Sequence, residues 1–74
     1  MKTEDPWVNQ AKGILRAAMA RQGMTYEQLA EKLAELGVQD TAVNLRNKVA
    51  RGGFSAVFLL QCLKAAGVNK IDLD

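Results

Sequence analysis

The sequence predicts an all-α fold, a compact bundle of four helices in a single domain that covers residues 1–74. Apolar residues recur at steps of three and four between glycines, which is the spacing of amphipathic helices. Residues that can cap a helix N-terminus precede these segments. A chain of 74 residues with 49% apolar content leaves room for one small core, and no apolar run approaches the roughly 20 residues of a membrane span.

The first helix is predicted over residues 6–22. Asp5 can accept hydrogen bonds from the free N–H groups, and Pro6 suits the first helical position. The face that we expect to be buried carries Trp7, Ala11, Ile14, Leu15, Ala18 and Met19. Gly13 interrupts this helix, so we expect another helix to approach closely there, and Gly23 is the predicted left-handed cap.

The second helix is predicted over residues 25–36, with a capping box formed by Thr25 and Gln28. Gly37 is expected to end it in a Schellman motif with Val38. The stripe that we expect to be buried consists of Leu29, Ala30, Leu33 and Leu36. The outer face carries Glu27, Glu31, Glu35 and Lys32. This acidic surface disfavours contact with a polyanion.

The third helix is short and polar. It is predicted over residues 41–50, with Asp40 or Thr41 as its N-cap. Its narrow apolar stripe consists of Ala42, Leu45 and Val49. A wide polar and basic face beside a narrow apolar stripe is typical of a helix that leaves the core to enter a groove.

The fourth helix, predicted over residues 55–66 with Ser55 as its cap, is the most apolar, and we expect it at the centre of the core. Its apolar residues are Val57, Phe58, Leu59, Leu60, Leu63 and Ala66. The tail, residues 69–74, alternates Ile71 and Leu73 with polar residues. It is predicted as either a short strand or an ordered coil.

The formal net charge is only +2, but its placement is uneven. Residues 1–37 and residues 55–74 are each neutral. The whole excess lies in residues 38–54, whose charged residues are Asp40, Arg46, Lys48 and Arg51. One face of the third helix is expected to hold Asn44, Asn47, Lys48 and Arg51, with Arg46 to one side. Asn pairs with adenine and Arg with guanine in the major groove, while Lys and Arg neutralise phosphates, so this placement indicates DNA contact.

The composition argues against an enzyme. The chain has no His, which excludes imidazole acid–base chemistry and imidazole metal ligands. The single cysteine, Cys62, cannot form a disulfide within the chain, and its place in the most apolar helix predicts a buried structural thiol. We therefore expect no catalytic residues, no cofactor and no metal site, and a cytoplasmic location.

Several motifs are shared with known proteins. They are Gly23, Thr25, Leu29-Ala30, Gly37, Arg51-Gly52, Leu59-Leu60, Leu63 and Gly67. With these motifs, the run from Gly23 to Val68 resembles the helix-turn-helix core of small bacterial and phage repressors of the lambda-repressor-like (Xre) type. The whole chain also resembles an uncharacterised small bacterial domain family, through Trp7, Thr25-Tyr26, the Asn44-Leu45-x-Asn47-Lys48 stretch and Arg51-Gly-Gly-Phe-Ser55.

The first resemblance implies a DNA-binding transcriptional regulator whose third helix lies in the major groove. Carried over by position, the base-facing residues are Thr41, Asn44, Arg46, Asn47 and Lys48, with Gln39 and Arg51 at the flanks. Gly37 comes seven residues after Ala30, whereas about four are usual, so the motif is expected to contain an extended second helix. Double-stranded DNA and a second copy of the chain are the expected partners, with the tail or exposed parts of the first and fourth helices as dimer surfaces.

A second function stays open from the sequence. The acidic face of the second helix also suits a helical protein-interaction module, such as an antitoxin, an anti-activator or a polymerase accessory factor, without direct DNA binding. RNA binding is a weaker third interpretation, because the aromatic residues are expected to be core or staple residues and not stacking platforms. These residues are Trp7, Tyr26, Phe54 and Phe58.

Overall fold

Four α-helices account for most of residues 5–73, which are the residues that the computed structural model describes. They are α1 (Pro6–Arg21), α2 (Tyr26–Glu35), α3 (Ala42–Arg51) and α4 (Ala56–Ala65). The predicted all-α four-helix fold is therefore confirmed, with each helix end within one residue of its prediction. No strand occurs within the described residues, so the tail is coil as far as Leu73, and Asp74 lies outside them.

Local hydrogen bonds explain where the helices begin. The Asp5 carboxylate accepts a hydrogen bond from the Trp7 amide at 2.8 Å. The capping box is complete, since the Gln28 amide donates to Thr25 Oγ1 at 3.1 Å and the Thr25 amide donates to Gln28 Oε1 at 2.9 Å. Ser55 Oγ accepts from the Phe58 amide at 3.0 Å. Each of these bonds satisfies an N–H group that has no partner within its helix.

The helix ends are equally local. The Val38 amide donates to the Leu33 carbonyl at 2.9 Å, and Gly37 has a φ of +84°. This is the predicted Schellman ending, which needs a left-handed residue after the helix. The second helix therefore continues to Glu35, as the late position of its glycine predicts.

The core lies between helices arranged so that α1 and α2 each pack against both α3 and α4. This arrangement puts α3 and α4 at diagonal corners of the bundle. Leu15, Leu29, Leu33, Leu45, Val49 and Cys62 are fully buried. Burial of a side chain of this size stabilises the fold by about 1.5–3 kcal/mol relative to leaving it exposed.

Four residues that were predicted to be buried are exposed. Trp7 is 76% exposed, because the first turn of α1 lies away from its buried residues, which begin at Leu15. Leu36 is 49% exposed, because it lies beyond the last turn of α2 at the C-cap. In α4, Val57 and Leu60 are exposed because α4 has only two helix neighbours, so its far side stays uncovered.

The prediction of a close approach at Gly13 is also wrong. Apart from its chain neighbours and the nearby backbone of α1, no atom lies within 4 Å of the position that a Cβ at Gly13 would occupy. The close approach occurs at Gly52 instead, where a Cβ would overlap the Val8 side chain and crowd that of Lys12. The backbone of Gly52 is therefore the point at which the end of α3 meets α1. None of the helices in residues 5–73 is both long and apolar enough to cross a membrane.

Candidate nucleic-acid interface

The N-terminus of α3 is fixed by the two residues that the sequence proposed as its cap. Thr41 Oγ1 accepts a hydrogen bond from the Asn44 amide at 3.1 Å. Asp40 Oδ1 accepts one from the Thr41 amide at 2.9 Å. Thr41 is therefore the N-cap, and Asp40 holds the residue before the helix in place.

Asp40 also connects the start of α3 to its last turn. Lys48 Nζ donates a hydrogen bond to Asp40 Oδ2 at 2.7 Å and lies 5.2 Å from the centre of the Phe58 ring. The Asp40 side chain is only 10% exposed, whereas that of Lys48 is 41% exposed. Lys48 is therefore drawn toward Asp40, at the border of the face that it was expected to share with Asn44 and Asn47.

The ion pair favours the charged form of Asp40. The hydrogen bond from Lys48 is the largest cause that lowers the pKa of the Asp40 carboxyl below its ordinary value. Partial burial opposes this shift, and hydrogen bonds from Thr41 and Asn44 add to it. The lowered pKa keeps Asp40 ionised down to a more acidic pH than usual, and the carboxylate offsets the charge of Lys48.

The two arginines of this segment stay on the surface. The Arg46 guanidinium lies 5.3 Å from the centre of the Tyr26 ring, so it rests against the first turn of α2. Arg51 is exposed in the last turn of α3. Within residues 5–73 neither arginine forms an ion pair. Because Lys48 and Asp40 offset each other, the charge excess of residues 38–54 lies on these two arginines.

The exposed side of α3 has a definite order of side chains. Leu45 and Val49 face the core, and Ala42 is half-buried beside them. At roughly 100° per residue, the exposed residues follow one another around the opposite side. From one edge to the other they are Arg46, Ala50, Val43, Asn47, Arg51 and Asn44. An arginine thus lies toward each edge of a face with small or amide side chains between them.

Val43 and Ala50 belong to this face although the sequence did not predict them there. Val43 is 60% exposed near the middle of the face. The residues predicted from the sequence are polar because they were chosen for hydrogen bonds to bases and phosphates. An apolar group can, however, contact the thymine methyl in the major groove. The signal that could have found Val43 is its position opposite the stripe of Leu45 and Val49.

The remaining residues of the predicted site lie at its ends. Gln39 is exposed in the loop before α3, and Thr41 is exposed although its hydroxyl is engaged as the cap. The structure therefore brings six of the seven predicted residues to one exposed region, and it places Lys48 at the border of that region.

The described residues hold no group of three His, Cys, Asp or Glu side chains that could bind a metal ion. Cys62 is fully buried, and burial raises the pKa of its thiol to about 12.

Comparison with known proteins identifies a family and no function. No curated protein and no solved structure matches the chain. One family model matches residues 7–71, which is nearly the whole chain and includes all four helices except the first residue of α1. The chain therefore belongs to the family described as domain of unknown function DUF6471.

Proposed function

We propose that this protein is a small helix-turn-helix DNA-binding transcriptional regulator that acts as a homodimer, with α3 in the major groove of double-stranded DNA. The observation that carries the proposal is the order of side chains across the exposed face of α3. Arg46 and Arg51 lie toward its edges, where they can reach phosphates or guanines. Asn47 and Val43 lie between them, where a groove-bound helix meets base edges.

The packing of α3 favours the same proposal. α3 packs against α2, and its short apolar stripe leaves more than half of its circumference exposed. The resemblance to lambda-repressor-like helix-turn-helix domains assigns the groove to this helix. The two copies of a dimer would present their α3 helices to half-sites about 34 Å apart.

The contacts of Lys48 suggest a role other than the direct DNA contact that the sequence predicted. Its ammonium group is engaged by Asp40 and lies over the Phe58 ring. We therefore propose that Lys48 positions α3, while Arg46 and Arg51 supply the charge that contacts DNA. Loss of Lys48 should then lower affinity through the stability of the helix, with little change in the salt dependence.

The test is selection of bound duplexes from a random DNA library, followed by fluorescence anisotropy on the selected sequence at several salt concentrations. The variant Arg46→Gln/Arg51→Gln should lower the salt slope by about two, since each lost phosphate contact contributes roughly 0.9. The matched control, Arg16→Gln/Arg21→Gln, has the same net charge and alters exposed arginines of α1. Asn47→Ala should relax base preference by about 1–3 kcal/mol at one position.

Two results would overturn the proposal. One is a selection that enriches no sequence. The other is an equal loss of affinity in both double variants, because binding would then follow the net charge and not the α3 face. Circular dichroism of each variant separates a loss of contact from a loss of fold.

The alternative function is a helical protein-interaction module without direct DNA binding. It is favoured by the exposed apolar side chains of α1 and α4 and by the acidic residues of α2. Pull-down from lysate before and after nuclease treatment distinguishes the two functions. A protein partner that is retained after nuclease treatment, together with no selected DNA, would favour the alternative.

A further inference from the structure

Exposed apolar side chains cluster on the part of the molecule formed by the start of α1, the far side of α4 and the tail. The five residues are Trp7, Val57, Leu60, Ile71 and Leu73, which are between 45% and 76% exposed. We call them the apolar surface. Leu36 and Val43 are also exposed, but they belong to the end of α2 and to the α3 face.

Shared grooves connect these residues. Trp7, Ile71 and Leu73 line one groove of about 510 Å³ together with Leu59 and Ile14. Ile71 and Leu60 line the neighbouring groove. Val57 precedes Leu60 by three residues in α4, so both project from the same side of that helix. The apolar surface is therefore one region and not a scatter of single side chains.

The tail is held where it completes this region. Gln10 Nε2 donates a hydrogen bond to the Leu73 carbonyl at 3.0 Å, which fixes the end of the described chain against α1. Ile71 and Leu73 thus stand beside Trp7. The two dimer surfaces that the sequence left as alternatives, the tail and the exposed parts of α1 and α4, form a single surface.

We propose that the apolar surface is the interface through which two copies of this chain form an isologous dimer. The inference rests on the homodimer that the proposed function includes, and it specifies the residues that form it. Its first support is area. With roughly 150–250 Å² for the whole tryptophan side chain and less for each aliphatic one, the five residues expose on the order of 500 Å². A standard interface buries about 800 Å² per partner, so these residues supply most of what one copy must bury.

Its second support is self-complementarity. In an isologous interface the same surface meets itself, so that a protruding group of one copy must find a recess on the other. Trp7, the most exposed large apolar residue described, stands beside the groove that it lines with Ile71 and Leu73. Among residues 5–73, no charged side chain lines this groove, which disfavours a nucleic acid or a charged peptide as its occupant. The indole of one copy and the groove of the other have the same apolar chemistry.

Its third support is position. α4 and α3 occupy diagonal corners of the bundle, since each packs against α1 and α2. A dimer formed through the far side of α4 therefore leaves the exposed face of α3 uncovered in both copies. The proposed interface and the proposed DNA contact can be occupied together.

The test measures self-association without DNA, by sedimentation equilibrium and by tryptophan emission over a range of protein concentrations. Trp7 is the only tryptophan of the chain, so its emission reports on this surface alone. We expect a dimer whose formation shifts the emission to shorter wavelength. Val57→Asp should weaken the dimer at least tenfold.

The chain offers a closely matched control in Val43→Asp. Val43 and Val57 are 60% and 63% exposed, and each is the second residue of a ten-residue helix with a Thr or Ser cap. An aspartate is well tolerated in the first turn of a helix, so both variants should fold. Val43→Asp should leave the dimer constant unchanged, and circular dichroism verifies both folds.

Four outcomes overturn the inference. If Val57→Asp and Val43→Asp weaken the dimer equally, or if the dimer forms without any change in Trp7 emission, the interface lies elsewhere although a dimer exists. If the wild-type chain stays monomeric at all concentrations, or is found only with a different protein on this surface, self-association itself is wrong. None of these outcomes depends on DNA binding, which the duplex selection tests separately.

Discussion

Replacement of Gly52 by alanine should destabilise the protein far more than its small size suggests. Gly52 ends α3 with a φ of +70° and a ψ of −163°, a region of backbone conformation that is open essentially to glycine alone. The added Cβ would also overlap the Val8 side chain and lie 2.8 Å from Lys12 Cδ. The alanine would therefore strain its own backbone and clash with α1.

The two costs can be added roughly. A residue forced into such a backbone region costs about 1–3 kcal/mol. Insertion of a methyl group into a packed contact costs about 1–3 kcal/mol, and the flexible Lys12 side chain can relieve part of it. We expect a loss of about 3 kcal/mol in the free energy of unfolding, which lowers Tm by roughly 12–24 °C in a domain of this size. Thermal unfolding followed by circular dichroism measures it.

Two other glycines supply the controls. Gly53 also has a positive φ, +61°, but nothing lies within 4 Å of its Cβ position, so Gly53→Ala should cost about 1–2 kcal/mol, from the backbone alone. Gly13 lies within α1 in open space, so Gly13→Ala should stabilise the protein by about 0.5–1 kcal/mol. If Gly52→Ala cost no more than Gly53→Ala, the described contact between α1 and the end of α3 would be incorrect.

Two further predictions concern titratable groups. Because its pairing with Lys48 lowers the pKa of Asp40, the pair stabilises the folded state above the unfolded-state pKa of about 3.9, and this contribution is lost as the pH falls through the lower folded-state value. Asp40→Asn should remove this part of the acid sensitivity. Near neutral pH it should lower the free energy of unfolding by at most about 1 kcal/mol, since Lys48 is partly exposed. If the variant kept the acid sensitivity of the wild type, the pairing would be refuted. Burial raises the pKa of Cys62 to about 12, so iodoacetamide should modify the thiol at pH near 8 only after unfolding, as mass spectrometry would show; rapid modification of the native protein would contradict its burial.

The helix boundaries could be predicted from the sequence because they depend on neighbours in the chain. The capping box of Thr25 and Gln28 and the Schellman ending at Gly37 involve residues at most five positions apart. Burial could not be predicted equally well. Whether Val57 or Cys62 of α4 faces the core depends on where α1 and α2 lie, and both residues are apolar, so the helical pattern alone does not choose between them.

The candidate site was predicted in part for the same reason. The basic excess of residues 38–54 is a property of the sequence, and Arg46 and Arg51, which carry it, are exposed. The pairing of Lys48 with Asp40 joins residues eight positions apart, across the cap and two turns of helix, and only the folded geometry reveals it. Val43, by contrast, could have been recognised from the sequence, since it lies opposite the stripe of Leu45 and Val49.

The pairing changes how the net charge of +2 relates to function. If all four charged residues of the segment were free, the charge would spread around α3 and would indicate only a general attraction to polyanions. Because Asp40 and Lys48 offset each other at the border of the helix, the excess is confined to Arg46 and Arg51, with Val43, Asn47 and Ala50 between them. Under the proposed function, two exposed charges toward the edges of a face with small side chains would set the register of α3 on the phosphates of DNA.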